Sequence, residues 1–215
     1  MQVVWANRHL LWQGLEYTLK LFAVVILLGS VIGTLLGVGL LYSGRVIKGV
    51  IRAYVDIVRG IPLIVTIFLI FYLPVSYGIN LSPFQSISLA LSSFAAAHMA
   101  EIVRGALGSV ARGQTDAAKS LGLTFWPRIF SVLLPQAFPL MVGPWTNLAV
   151  DMFKGTSLAI LVSQADFLFS IQKRATARGH YLAFYLVAMG VYFLCCFAIS
   201  RAGSWAGRRV RLGSA

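Results

Sequence analysis

Residues 101–135 read EIVRGALGSVARGQTDAAKSLGLTFWPRIFSVLLP and place charged and helix-capping residues between two apolar segments, each long enough to cross a bilayer. A membrane chain that builds ordered structure into such a loop usually does so for a partner. Thr115 can N-cap a short helix whose first residue, Asp116, suits the positive end of the helix dipole, and Gly122 can close it as the C′ residue. Thr124 can cap the next helix, with Pro127 inside that helix's tolerant first turn. The expected product is a small helical knob with Ala117, Ala118, Leu121, Phe125 and Trp126 as its apolar surface.

Outward from the knob the chain is a series of charge-free runs, at 21–44, 60–100, 129–150 and 179–200. A helix needs about 20 apolar residues to cross a bilayer. The second run is twice that length, so it reads as two spans broken near Pro74 to Pro83, where Ser76, Gly78, Asn80 and Ser82 supply turn chemistry. The expected fold is all-α and polytopic, with five transmembrane helices at about 17–42, 57–75, 84–107, 129–158 and 179–201. An odd number of crossings puts the termini on opposite sides.

Composition agrees with that class. Hydrophobic residues make up 59%, charged residues 11%, and the mean hydropathy is +0.83, more apolar surface than a water-soluble domain of 215 residues can bury. The net charge of +12 does not point to nucleic acid, because the Lys and Arg residues sit in short clusters between apolar runs, as orientation signals do. Cys195 and Cys196 are neighbours inside an apolar run and suit neither a disulfide framework nor a metal site. We find no internal repeat, no low-complexity tract and no second domain; 1–215 reads as one unit. No cleavable signal peptide is expected, since Trp5 to Leu15 reads instead as a short amphipathic helix at the membrane surface.

Basic residues set the expected orientation. Arg45, Lys48 and Arg52 follow span 1, Arg112, Lys119 and Arg128 follow span 3, and Arg208, Arg209 and Arg211 lie in the tail, so these segments face the cytoplasm. The N-terminus is then outside and the C-terminus cytoplasmic. Lys173, Arg174 and Arg178 disagree, falling on the side assigned as external, where they can dock a partner.

Span 4 carries the most unusual chemistry. Pro135, Pro139 and Pro144 punctuate it, and Asn147, Asp151, Lys154, Thr156 and Ser157 follow directly. Proline-freed backbone groups can line a cavity, and ionisable residues within a membrane are costly enough to mark a pathway. Asp151 and Lys154 share a helical face and can equally neutralise each other. His98 and Glu101 in span 3 are secondary candidates, with Glu101 also placed to pair with Arg104. Arg59 beside Gly60 and Pro62 reads as a snorkelling anchor or an inner gate. Gly29, Gly33 and Gly37 recur on one face of span 1, the spacing that lets helix backbones approach closely. No P-loop, HExxH, CxxC pair or nucleophile elbow is present, so the chain is not expected to be an enzyme or to hold a cofactor or metal of its own.

The sequence Asp116-Ala117-Ala118, then Gly122, then Val132, Leu134 and Pro135, resembles the EAA loop of bacterial ABC-transporter permeases, internal spacing included. HMAEIVRG (98–105), ARGQ (111–114), LPQAF (134–138), GTSL (155–158) and RGIPL (59–63) are similar to the polar amino-acid uptake branch, of the histidine, glutamine and glutamate type. Two departures stand out: Asp116 replaces the usual Glu, and Gly155 stands where many relatives carry Asp.

The resemblance implies a type I ABC importer permease in the bacterial inner membrane, with 108–130 as the cytoplasmic coupling loop. It implies a pair of ATP-binding subunits that hold ATP and Mg and grip the loop through Asp116, Ala117, Ala118, Leu121, Gly122 and Phe125. It also implies a second permease subunit, identical or paralogous, and an external solute-binding protein. For a small polar amino acid, Lys154, Thr156 and Ser157 would meet the carboxylate and Asp151 the ammonium, with Asn147, His98 and Glu101 along the pathway. The acid missing at Gly155 argues for acidic or neutral substrates. The alternative reading is an ion-coupled secondary amino-acid carrier, which would need mid-membrane coupling carboxylates that this chain largely lacks.

Overall fold

A computed structural model describes residues 8–212, which are helical nearly throughout. Helix α1 (Arg8–Tyr42) is followed by α2 (Arg45–Gly60), α3 (Leu63–Tyr72), a 3₁₀ turn at Pro74–Tyr77 and α4 (Pro83–Gly108). The knob region holds α5 (Arg112–Ser120) and α6 (Phe125–Arg128), which runs through a π turn at Ile129–Leu133 into α7 (Leu134–Gly155). A 3₁₀ segment (Thr156–Val162), α8 (Phe167–Arg178) and α9 (Tyr181–Leu212) complete the chain. Among the described residues no strand is present.

Four continuous helical stretches are long and apolar enough to cross a membrane: Arg8–Tyr42, Pro83–Gly108, Phe125–Val162 and Tyr181–Arg209. The fifth expected span is different in kind. Its boundary at 57–75 is corrected by a 108° bend between α2 and the Leu63–Tyr77 segment. Pro62 forces Ile61 into extended backbone (φ −98°, ψ 135°), so the helix stops at Gly60 and restarts at Leu63. Residues 57–60 therefore belong to α2, an amphipathic helix in which only Val55 is buried. With α2 and α3 counted as one bent span, the molecule is the expected five-span all-α bundle.

The expected surface helix at Trp5–Leu15 is also corrected. Trp5, Ala6 and Asn7 lie outside the described residues, but Arg8 to Leu15 continue without a break into span 1. That extension is held by protein rather than by headgroups: Leu11 is buried with Phe167, Ile171 and Phe184, and a Cβ on Gly14 would stand 2.6 Å from Ser170 Oγ.

The core of the bundle is the crossing of α1 and α4. Gly29, Gly33 and Gly37 face Ala95, Met99 and Val103, where a Cβ on any of them would lie 2.5, 2.5 and 2.6 Å from the opposing Cβ. The glycine stripe thus packs within the subunit, so that two backbones touch where lipid gives no hydrophobic reward for association. Polar bonds pin the rest: Trp145 Nε1 donates to Ser30 Oγ (2.9 Å), joining α7 to α1, and Tyr54 Oη to the Ser93 carbonyl (2.9 Å), joining α2 to α4. Helix α4 begins with a reciprocal capping box between Ser82 and Gln85, which fixes its first turn within one residue of the expected start. Large apolar side chains such as Leu27, Leu35, Leu182 and Phe193 are exposed on the outer faces of α1 and α9, as a lipid-facing surface requires.

Candidate functional site

The knob forms, with two changes to its expected caps. Helix α5 starts at Arg112 with Ala111 as N-cap, so Thr115 lies inside the helix and caps nothing. Thr124 occupies the N-cap position of α6 in extended backbone, but its side chain makes no capping bond. The C-terminal signal holds fully. Gly122 adopts φ +75°, its N–H donates to the Lys119 carbonyl (2.9 Å), and the Leu123 N–H donates to the Ala118 carbonyl (3.1 Å). Those two bonds are a Schellman motif, which needs a left-handed residue at C′.

The knob has an inner and an outer face. Ala118 is buried, and Phe125 packs inward against Tyr42 at the end of α1 (ring centroids 5.4 Å). Asp116 and Ala117 are exposed, as are Leu121 (80%) and the stacked rings of Trp126 and Phe130 (5.8 Å). Gln136 Nε2 bridges the knob to span 4, donating to Gln114 Oε1 (3.2 Å) and to the Val132 carbonyl (2.9 Å). The contacts of Tyr42 with Phe125 and of Gln136 with Gln114 join residues distant in sequence, and no local pattern announces them.

In span 4, Asn147, Asp151 and Lys154 fall at i, i+4 and i+7 and form one exposed polar face of α7. The Asp151–Lys154 ion pair is 3.5 Å long, with both side chains more than half exposed. Thr156 lies elsewhere: it is fully buried and its hydroxyl donates to the Phe153 carbonyl (2.6 Å), while Ser157 Oγ donates to the Lys154 carbonyl (2.7 Å). Gly155 faces Leu91 and Leu63, so the end of α7 meets the start of α3 just past the Pro62 bend. His98 lies tilted against Phe94 (ring centroids 4.5 Å), and its buried Nε2 has no hydrogen-bond partner among the described residues.

Glu101 is a hub. Its carboxylate pairs with Arg104 (2.6 Å) on its own helix and with Arg52 (2.8 Å) on α2, and Arg59 stands 4.0 Å away. The local Glu101–Arg104 pair was legible at i, i+3; the contact with Arg52, 49 positions away, was not.

Asp166 is a residue that the sequence reading passed over, although an acid directly before the apolar run Phe167–Phe169 is an N-cap signal. It is fully buried and caps α8, accepting from the N–H groups of Phe169 (2.8 Å) and Leu168 (3.3 Å). Burial pushes its carboxyl from the ordinary 3.8 up to about 6, against the two N–H bonds that favour the anion. The folded state therefore holds this proton to higher pH than the unfolded chain. Stability is greatest below about pH 4, falls as pH rises to about 6, and is then flat, a loss of roughly 3 kcal/mol from this group. Thermal unfolding of the detergent-solubilised protein across that window is expected to show the slope, and Asp166→Asn to flatten it. An equal slope in the variant contradicts the assignment.

Residues 26–212 match the family described as "Binding-protein-dependent transport system inner membrane component". The L-cystine transport system permease protein TcyB of Bacillus subtilis (strain 168) is 33% identical over 189 residues, covering 87% of this chain and 80% of that protein. The glutamate/aspartate import permease protein GltK of Escherichia coli O157:H7 is 35% identical over 208 residues, covering 93% and 92%. Among solved structures, a permease chain from an amino acid ABC transporter crystallised with histidines superposes with a TM-score of 0.87 at 28% identity, covering 95% of both chains. A chain of the inward-facing MetNI methionine ABC transporter superposes at 0.82 and, at 24% identity, speaks for the fold alone. Family match, relatives and superposition agree, and the chain belongs to the binding-protein-dependent transport system inner membrane components, as a multi-pass ABC-importer permease of the polar amino-acid branch.

Proposed function

We propose that this chain forms, with a second permease subunit, the translocation pathway of an ATP-driven importer for acidic or neutral polar amino acids. The observation that carries this reading is the exposed Asn147–Asp151–Lys154 face of α7. Charged groups in a membrane are sustained by water-filled cavities or by other protein. Two such faces opposed across a subunit interface make a polar route through an apolar bundle. Lys154 meets the substrate carboxylate and Asp151 its ammonium, with Asn147, Ser157 and His98 along the same route, while Thr156 supports the helix end from within. The glutamate/aspartate relative, at 35% identity, fits an acidic substrate. Arg59 and Pro62, beside the bend and held toward Glu101, form the inner gate.

Two ATP-binding subunits holding Mg-ATP grip the outer face of the knob, and an external solute-binding protein docks on the opposite side, where Lys173, Arg174 and Arg178 offer positive charge. Uptake in vesicles is expected to require ATP and to be indifferent to an uncoupler. Lys154→Ala is expected to weaken transport of glutamate or glutamine by at least roughly tenfold, the loss of one charge-assisted contact of about 1.5–3 kcal/mol. Normal transport by Lys154→Ala, Asp151→Ala and the double variant would reduce the pair to a structural role. Recovery of the single-variant loss in the double variant would mean that the pair only neutralises itself.

The orientation, N-terminus outside and knob inside, is tested by labelling. Cysteine at Asn80 is expected to react with an impermeant maleimide from outside intact cells, and cysteine at Thr124 only after permeabilisation. The opposite pattern inverts the topology.

A further inference from the structure

Where α1 ends and α2 begins, a cavity of about 450 Å³ opens between three helices. Leu40 and Leu41 of α1 form its apolar side, Arg45, Lys48 and Arg52 of α2 and Arg104 of α4 its polar side. The four basic side chains are not equally committed. Arg52 gives Nε to Asp56 and Nη1 to Glu101, and Arg104 gives Nε and Nη2 to Glu101. Arg45 and Lys48 are exposed and have no carboxylate partner among the described residues, while Asp56 and Glu101 are already taken by Arg52 and Arg104, with Arg59 also 4.0 Å from Glu101. The pocket thus carries an unneutralised double positive charge.

Its surroundings are apolar in a directed way. Leu28, Ile32 and Leu35 form an exposed stripe on α1 at i, i+4 and i+7. The next residue on that face is Gly39, where a Cβ would stand 2.6 Å from Ile51 Cδ1, so α2 sits at the foot of the stripe. Beside the pocket Val46 (81%), Ile47 and Val50 of α2 are exposed as well. The 108° bend turns α2 well away from the direction of α3, so this first limb of the bent span takes the pose of an interfacial amphipathic helix.

We propose that this pocket binds the headgroup of an anionic phospholipid, with one acyl chain along the Leu28–Ile32–Leu35 stripe. A phosphate-centred anion is what two surplus cations at a membrane boundary recognise. The adjoining apolar stripe selects an amphiphile over free phosphate. The leaflet rests on the orientation proposed above; the binding does not.

The test uses the assembled transporter with its ATP-binding subunits, taken from nanodiscs of equal parts dioleoylphosphatidylglycerol and dioleoylphosphatidylcholine and weighed by native mass spectrometry. Retained phosphatidylglycerol is expected to exceed phosphatidylcholine by roughly thirtyfold per permease, the effect of two basic side chains near a membrane surface. Arg45→Gln with Lys48→Gln is expected to abolish the preference. Gly49→Glu, at an exposed lining position where a Cβ meets nothing within 4 Å, is expected to do the same by charge alone, so that misfolding of one variant leaves the other as a test. Preference unchanged in both variants, or no preference in the unaltered protein, overturns the proposal. So does displacement of the lipid by excess inorganic phosphate, which would make free phosphate the ligand. Protection of Lys48→Cys from maleimide in the complex without bound phosphatidylglycerol would assign the pocket to a protein partner instead and also overturn it. Labelling of that cysteine from outside intact cells would refute the orientation and leave the lipid result standing.

Discussion

Leucine in place of Gly33 is expected to eliminate the assembled transporter from the membrane. A Cβ alone would stand 2.5 Å from Met99 Cβ and 2.6 Å from the Ala96 carbonyl, and the second of these is backbone that cannot swing aside. The remaining carbons of leucine need the two helices to separate along the whole glycine seam, which forfeits the contacts at Gly29 and Gly37 as well. Overpacking of a well-filled core costs about 1–3 kcal/mol per site where side chains can yield. Here they cannot, and helix association in lipid has little but packing to hold it. The measurement is the yield of complex recovered in mild detergent, with Gly105→Ala as the control, since a Cβ there meets open space. Recovery of Gly33→Leu at the unaltered level would mean that the α1–α4 seam is not where the fold is held.

Proline at Gly122 is expected to abolish coupled transport while leaving membrane insertion intact. Proline fixes φ near −65°, whereas Gly122 sits at +75°, and the substitution also removes the N–H that donates to Lys119. The combined cost is on the order of 3 kcal/mol or more, about two decades in the population of the intact knob. Asparagine tolerates the left-handed region, so Gly122→Asn is expected to retain most activity. Uptake and co-purification of the ATP-binding subunit report the result. Full uptake by Gly122→Pro would detach the knob from coupling, and equal failure of Gly122→Asn would mean that something other than backbone conformation is at stake.

The sequence announces those features of this molecule whose causes are local. Hydrophobic length found four spans within a few residues or by their cores, because bilayer thickness acts on composition alone. Gly122 was legible because a Schellman turn demands one residue in one place. The glycine stripe at 29, 33 and 37 was legible as a packing face, though only the structure shows that α4 is what packs there. Thr115 misled because a cap signal says that a helix can begin, and Ala111–Gln114 already form a turn ahead of it. The second span was placed too early because the charge-free run hid a backbone event: Pro62 acts on Ile61, and hydropathy does not register dihedral angles. In the site, Asn147, Asp151 and Lys154 share a face by helical periodicity. Thr156 falls off that face by the same periodicity, since nine residues on from Asn147 is half a turn round the helix.

Helix α1 joins places that the sequence keeps far apart. At one end Tyr42 lies against Phe125 of the knob; at the other, Leu11 is sunk into the cluster around Phe167, and Thr18 Oγ1 accepts from the Phe167 N–H (3.0 Å). Between them run 35 residues without a proline and without a break, about 52 Å of rod. Such a rod does not store displacement; it relays it. Tilted by ~10° about its midpoint, it carries each tip sideways by ~4.5 Å, in opposite senses. A tug on the knob therefore reaches α8 across the full thickness of the membrane by leverage alone, without any residue between them changing its rotamer.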